Sequence, residues 1–216
     1  MSRLDTRLAT KIAIVDDDPA IRKSLMLLLQ QAGMEVSTFD CGEAFLASDL
    51  TQRYGCAIVD LKMPGISGLA LQESLTKLGI PLSVVILTGY GEISTSVAAI
   101  KSGAVDYLVK PVTSEKLISV IETAVAKTEN GYGRVERQQK ARLRLAELTQ
   151  RELEIMHLAI QGLPDKVIAK NMKISHRTVE KHKSSMLHKT GSRNVLDLFA
   201  LALECSEGAD QRLETD

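Results

Sequence analysis

Tryptophan is missing from this 216-residue chain, and aromatic residues of every kind make up only 3% of it. That scarcity argues against a surface on which single-stranded nucleic acid stacks base by base. Cysteine is nearly as scarce. Cys41, Cys56 and Cys205 stand far apart and form no CxxC pair, so no disulfide framework is expected, and each reads as a small apolar residue in a reducing compartment. No His/Cys cluster has zinc spacing. No apolar run approaches the length of a membrane span. The first residues, MSRLDTRLATK, lack the apolar stretch of a secretion signal. The expected setting is therefore the cytoplasm, with no membrane partner. What is present is 44% apolar residues. Over this length they suffice for the cores of one large or two small domains.

Charge is balanced overall, with 27 basic and 27 acidic side chains, but it is unevenly placed. Residues 1–128 carry 12 Lys and Arg against 14 Asp and Glu, and residues 149–203 carry nine against five. All four histidines, at positions 157, 176, 182 and 188, lie in that second stretch. A mildly acidic part joined to a modestly basic one points to a polyanion as partner of the basic part.

The first 125 or so residues alternate strand-like apolar runs with amphipathic stretches. Strands are expected at 11–15, 35–39, 56–60, 82–88 and 105–109. Helices are expected at 20–33, 42–50, 68–79, 93–104 and 114–127, with Ser114 as the N-cap of the last. Five β–α units in a row mean a parallel sheet covered by helices on both faces. The five-stranded form is flavodoxin-like, with strand order 2-1-3-4-5. "TENGYGR" (128–134) then reads as a helix stop and hinge, and the highly charged "VERQQKARLRLAEL" (135–148) as a helical linker. From Thr149 on the β pattern is gone. Short helices alternate with "GLP", "KIS" and "TGSRN", and the last residues look frayed. The expected organisation is an α/β domain at 1–127, a helical linker at 128–147, an all-α four-helix domain at 148–204 and a disordered tail at 205–216.

"IVDDDPA" (14–20) places three carboxylates directly after the first strand. Like charges side by side repel, so they need a positive partner. In an open parallel sheet the ligand site lies at the carboxyl ends of the strands. Asp16, Asp17 and Asp18 follow the first strand, Asp60 ends the third, Thr88 the fourth, and Lys110 follows the fifth. Carboxylates in a water-accessible cleft suit Mg2+, which keeps several waters and takes one or two carboxylates. With a hydroxyl and an ammonium beside them, such a set suits phosphoryl transfer. Asp18 also reads as the N-cap of the helix that Pro19 opens.

Residues 11–126 resemble the receiver domain of a two-component response regulator. "VDDD", "VDLKMPGISG", "ILTG" and "YLVKP" carry the resemblance, in order and at family-like spacing. The resemblance implies that Asp60 accepts a phosphoryl group from a sensor histidine kinase. It implies Mg2+ on Asp17, Asp60 and the backbone carbonyl of Lys62, with Asp16 mainly through water. Lys110 and Thr88 would contact the phosphoryl group, and Tyr107 would turn inward behind a displaced Thr88. The receiver surface would then dimerise. Lys62 and Tyr90 stand where the family tunes dephosphorylation. Asp16-x-Asp18 after a strand also resembles Mg2+-dependent hydrolases of the haloacid dehalogenase type, with Asp16 as nucleophile. Against that stand Ala20, the lack of a second acidic pair after Lys110, and the absence of a cap segment; "MPGISG" would also go unexplained. A further alternative is a receiver that acts as a phosphate-independent interaction module.

In the second part, Thr149 and Glu152 make a capping box, Pro164 suits the first turn of the next helix, and Ser175 caps a helix over 176–189 ended by Gly191. A short helix, a tight turn and a longer helix with a polar basic face form a helix-turn-helix. Helical spacing puts Val179, His182 and Met186 toward the core, and Arg177, Glu180, Lys181, Ser184 and His188 on the other side. Lys166, Arg177, Thr178 and Lys183 are candidate phosphate contacts.

The segment resembles the DNA-binding domain of LuxR, NarL and FixJ, through "LTQRE", "GLPDKVIA", "ISHRTVEKHKSSML" and "HKTG". In that family the base-facing positions map onto Glu180, Lys181 and Ser184. Asp165 departs from the pattern, where Asn or Ser is usual, and Thr190 and Ser192 stand where apolar residues are common, which softens the packing there. "LTGYGE…GAVDYLVKP" and the linker place the chain nearest the FixJ branch. The two resemblances together imply a phosphorylation-switched transcription regulator rather than an enzyme. Its implied partners are a sensor histidine kinase, double-stranded promoter DNA, a second copy when phosphorylated, and RNA polymerase as a further candidate.

Overall fold

The apolar runs Lys11–Val15 (β1), Glu35–Phe39 (β2), Cys56–Val59 (β3), Val84–Thr88 (β4) and Asp106–Val109 (β5) pair into one parallel sheet of order β2-β1-β3-β4-β5 in the computed structural model of the chain. The structure describes residues 10–49, 54–89, 97, 99, 100 and 102–206. It divides into two units, Met1–Tyr132 and Gly133–Asp216. The strand order is the one expected from the β–α alternation. In this register Ile12 pairs with Val36 and Cys56, and Ile14 with Thr38 and Ile58.

Side chains alternate between the two faces of each strand, so the sheet has two cores. Ile12, Ile14, Cys56, Ile58, Val85 and Leu87 meet Leu25 and Leu29 of helix α1 (Pro19–Gln31), and Leu117, Ile121 and Ala124 of helix α4 (Ser114–Ala146). On the other face Ala13, Val15, Ala57, Val59, Val84 and Ile86 meet Phe45 of α2 (Gly42–Leu46), and Leu71 and Leu75 of α3 (Gly68–Lys77). Burial on both faces is why β3 and β4 read as unbroken apolar runs. Cys56 is fully buried in this layer, and burial pushes its thiol well above the ordinary range.

Helix ends follow local chemistry. The Asp18 carboxylate accepts from the backbone N–H of Ala20 at 2.7 Å and of Ile21 at 3.4 Å, with Pro19 opening α1, as expected. α4 starts at Ser114 as expected, but its N-cap is corrected by one residue: Thr113 Oγ1 accepts from Lys116 N at 3.3 Å, and Ser114 is already helical. The helix expected at 93–104 falls largely outside the described residues, as does Tyr90; Val97, Ala99 and Ile100 are helical.

The expected stop and hinge at 128–134 is overturned. α4 runs unbroken from Ser114 to Ala146. Gly131 reads as a breaker in the sequence but serves close packing: a Cβ added there would lie 2.7 Å from Pro81 Cβ. One turn earlier the buried Thr128 hydroxyl accepts from Ser83 N at 2.9 Å. The helix outlasts its glycines because tertiary contacts outweigh a propensity cost of about 1 kcal/mol per glycine.

In the second unit four helices, α5 (Gln150–Ile160), α6 (Asp165–Met172), α7 (His176–Thr190) and α8 (Val195–Ser206), enclose Leu148, Ile155, Met156, Ile168, Val179, Met186, Leu198 and Leu201. Ala141 of α4 joins this core. Cys205 and Ser206 still belong to α8, so the expected tail starts too early by two residues; 207–216 lie outside the described residues. Ser175 caps α7 through Thr178 N, and Gly191 closes it in the left-handed region at φ 62°. Thr190 and Ser192 leave no polar atom stranded: the Thr190 hydroxyl lies 2.8 Å from Met186 O and 3.0 Å from Ser192 Oγ. Arg144 Nε donates to the Thr190 carbonyl at 2.5 Å. Among the described residues no helix is long and apolar enough to cross a membrane.

Glu152 ties α5 to α7. It is 3% exposed. Its carboxylate accepts from Thr149 N at 2.8 Å, Ser185 Oγ at 2.8 Å and Lys189 Nζ at 2.7 Å. Burial alone would raise its pKa, but the bonds from Lys189, Thr149 and Ser185 outweigh it and bring the value down from 4.5 to about 2. A carboxyl that is more acidic folded than unfolded stabilises above its unfolded value, and that stabilisation is lost as pH falls through the folded value. Over this shift it amounts to about 3 kcal/mol. Glu152→Gln is expected to lower the stability of the second unit by about 2–3 kcal/mol at pH 7. The gap to wild type should close between pH 4.5 and about 2. Amide exchange of α5 and α7 along a urea series at several pH values checks both.

Candidate functional site

The strand order places the ends of β1 and β3 side by side, and the residues that follow them, Asp16 and Asp60, turn toward one cation. Lys110 Nζ lies 2.7 Å from Asp16 Oδ2 and 3.1 Å from Asp60 Oδ1. Asp16 is 3% exposed and Asp60 9%. Burial pulls the Lys110 ammonium down, but hydrogen bonds and charge from Asp16 and Asp60 outweigh it and leave its pKa raised, so it stays charged at neutral pH. The backbone supplies the remaining donors. Lys62 N donates to Asp60 Oδ2 at 2.7 Å, and Asp18 N to Asp16 Oδ1 at 2.9 Å. Thr88 is fully buried at the end of β4, and its carbonyl accepts from Lys110 N at 2.8 Å. Tyr107, on β5, is half-buried against the core beneath the site.

The three consecutive aspartates thus have three different environments. Asp16 is buried against Lys110, Asp17 is exposed at the rim, and Asp18 caps α1. The cap commits the second carboxylate that the hydrolase reading needs. Among the described residues no cluster of three or more His, Cys, Asp or Glu side chains is arranged to hold a metal ion. Asp16 and Asp60 nevertheless converge on a single ammonium. Two such oxygen donors with the exposed Asp17 at the rim fit Mg2+, which retains most of its hydration.

Two supports of this rim were not read from the sequence. Arg22 Nη1 donates to the Asp16 carbonyl at 2.6 Å, bracing the acidic turn from one turn into α1. Its signal is a basic residue four positions after the N-cap. Glu43 Oε1 accepts from Ile66 N at 2.9 Å and holds the loop after β3; across 23 residues no local pattern reveals it. Gly68 stands at the family's spacing for a physical reason: a Cβ there would lie 2.5 Å from the Asp60 carbonyl oxygen.

In the second unit α7 presents Arg177, Glu180, Lys181, Ser184 and His188 to solvent, while Val179 and Met186 are buried and His182 is half-buried. This is the division expected from helical spacing. Lys166 is exposed on α6. Thr178 is half-buried, its hydroxyl 2.8 Å from Ser175 Oγ. Lys183 differs from its exposed neighbours: its ammonium is paired with the Asp165 carboxylate at the start of α6, an ion pair the sequence reading missed. Its signal was the acidic residue in place of the usual Asn or Ser.

Comparison with known proteins covers both units. Residues 12–122 match the family described as response regulator receiver domain, and residues 146–202 match bacterial regulatory proteins of the luxR family. The transcriptional regulatory protein TdiR of Thauera aromatica is 33% identical over 217 residues, covering 99% of this chain and 96% of TdiR. The transcriptional regulatory protein FixJ of Bradyrhizobium diazoefficiens is 35% identical over 192 residues, covering 89% of this chain and 94% of FixJ. The solved structure of the response regulator StyR is 34% identical with a TM-score of 0.76, covering 91% of this chain and 99% of that one.

The approach at Gly68 is open to a direct check. Gly68→Ala is expected to push the Asp60 backbone and destabilise the first unit by about 1–3 kcal/mol, the usual cost of overpacking. Urea unfolding of the variant against wild type measures it.

Proposed function

The chain belongs to the FixJ-like response regulators, a receiver domain joined to a LuxR-type DNA-binding domain, and from that premise we propose that it is a transcription regulator switched by phosphorylation of Asp60. The observation that carries the reading is the Lys110 ammonium bonded to both Asp16 and Asp60 at the carboxyl edge of the sheet. In this reading the receiver spans 1–127, the linker 128–147 and the DNA-binding domain 148–204, extended to Ser206 where α8 ends.

In this reading an Asp60 carboxylate oxygen attacks the phosphorus of a phosphohistidine on a sensor kinase. The new O–P bond forms as the P–N bond breaks and the imidazole leaves. Lys110 gives the transferred group a fixed positive charge in a partly buried site, where charge stabilisation is strong. The Thr88 hydroxyl donates to it. Asp16, Asp17, Asp60 and the Lys62 carbonyl would hold Mg2+, which would supply neutralisation of the phosphoryl oxygens. Movement of Thr88 toward the new acceptor oxygens vacates space that Tyr107 fills, and the altered surface pairs with a second phosphorylated copy. Phosphorylation acts here as a local charge event read by a two-state element.

The paired second units then engage promoter DNA at two half-sites about one helical turn apart. Lys166, Arg177, Thr178 and Lys183 serve the phosphates, and Glu180, Lys181 and Ser184 face base edges in the major groove. RNA polymerase is the further partner of a promoter-bound regulator. The setting is the cytoplasm, and the chain is a regulator rather than an enzyme.

Intact-mass spectrometry with Mg2+ and acetyl phosphate tests the switch. Wild type is expected to gain one phosphoryl adduct and Asp60→Asn none, and the variant should lose phosphate-stimulated DNA binding. Phosphate-stimulated binding that survives in Asp60→Asn overturns the mechanism.

A further inference from the structure

The ion pair between Asp165 and Lys183 lies at the edge of the face assigned to DNA. Asp165 opens α6, the first helix of the helix-turn-helix, and Pro164 caps that helix with no side-chain bond. A helix N-terminus attracts anions through its unpaired N–H groups and its dipole. In helix-turn-helix proteins the first helix crosses the nucleic-acid backbone. Asp165 thus places a carboxylate where a phosphate would be favoured. Lys183 lies in the middle of α7, between the buried Val179 and Met186 and the exposed Ser184. Its side chain is 20% exposed and that of Asp165 27%, so both groups still reach water and neither is locked in the core. Asp165 Oδ1 is bonded to the Lys183 ammonium. Arg177 and Lys181, on the same helix, are exposed.

We propose that Asp165 limits DNA affinity by acting as an internal counterion: its carboxylate occupies Lys183 in the free protein, so a backbone phosphate must displace it. The inference rests on the DNA-binding reading above. Its physical content is an exchange. A lysine that meets DNA from open solvent releases a condensed counterion and steepens the salt dependence of binding, by about 0.9 in log–log slope per phosphate neutralised. A lysine already neutralised by its own chain gives little of that gain. It trades one anion for another, and the displaced carboxylate then sits beside the phosphate backbone. Asp165 thereby holds non-specific binding down while leaving the base-facing residues untouched. The gain in discrimination comes from weakening the sequence-independent contribution alone.

The test uses the full-length chain and fluorescence anisotropy on a short random-sequence duplex, from about 50 to 200 mM salt. Asp165→Asn is expected to bind several-fold more tightly at the low-salt end, with a slope steeper by about 0.9 per bound protomer. Lys183→Gln added to Asp165→Asn should return the slope to that of wild type. Asp165→Ser replaces Asp165→Asn if the latter loses the thermal transition of the second unit. Wild-type binding with an unaltered slope in the Asp165 variants overturns the inference. So does a gain that persists in the double variant, which would be a through-space effect of the carboxylate rather than release of Lys183. A duplex left unbound by wild type and by the Asp165 variants alike removes the DNA-binding reading itself, an outcome distinct from all of these.

Discussion

Two carboxylates at neighbouring strand ends repel unless a cation stands between them, and Lys110 is that cation. Asp16 follows β1, Asp60 follows β3, and Lys110 follows β5. In the order β2-β1-β3-β4-β5, the lysine reaches back past the end of β4 to bond both acids. The carboxyl edge of the sheet is therefore clamped by one side chain that is itself held by the charges it separates. Thr88 and the loop after β3 take their positions from this clamp: the Thr88 carbonyl holds Lys110 N, and Lys62 N holds Asp60. A phosphoryl group bonded to Asp60 would bring more negative charge to the same lysine, so the resting clamp and the proposed switch are two uses of one ammonium.

The second unit reverses the signs. Here a buried carboxylate, Glu152, gathers an ammonium, a hydroxyl and a backbone N–H. Removing a charge from water costs several kcal/mol, and that cost is offset only when every oxygen finds donors. Glu152 finds them on two helices at once, which fixes how α5 lies against α7. The face that α7 turns outward is thus set from behind, by a buried residue. Asp165 and Lys183 form a second pair, between α6 and α7, at the rim, where water still competes.

Much of this was legible. The alternation of apolar runs and amphipathic stretches marked five strands, most plainly β3 and β4, which are buried on both faces, and the order followed from the flavodoxin-like form of five β–α units. Asp16, Asp60 and Lys110 were legible because they sit at strand ends, where topology alone brings them together. The caps at Asp18, Thr149 and Ser175 were legible because their hydrogen bonds span two or three residues. What escaped was long-range. Gly131 looks like a helix stop until Pro81, 50 residues earlier in the chain, is seen against it. Glu43 reaching Ile66, and Lys183 reaching Asp165, have no periodicity to betray them. Ser114 lost the N-cap to Thr113 because two adjacent hydroxyls carry the same signal.

The buried thiol of Cys56 gives the protein an internal clock. It lies in the middle of the first unit, packed between β1 and β4 and raised in pKa by burial. An alkylating reagent attacks the thiolate, so Cys56 is silent while β3 stays in the sheet and becomes reactive when the strand leaves. Cys41 and Cys205 are only half-buried. With those two replaced, the rate at which the remaining sulfur is modified counts the openings of the parallel sheet, without any label added to the acidic rim.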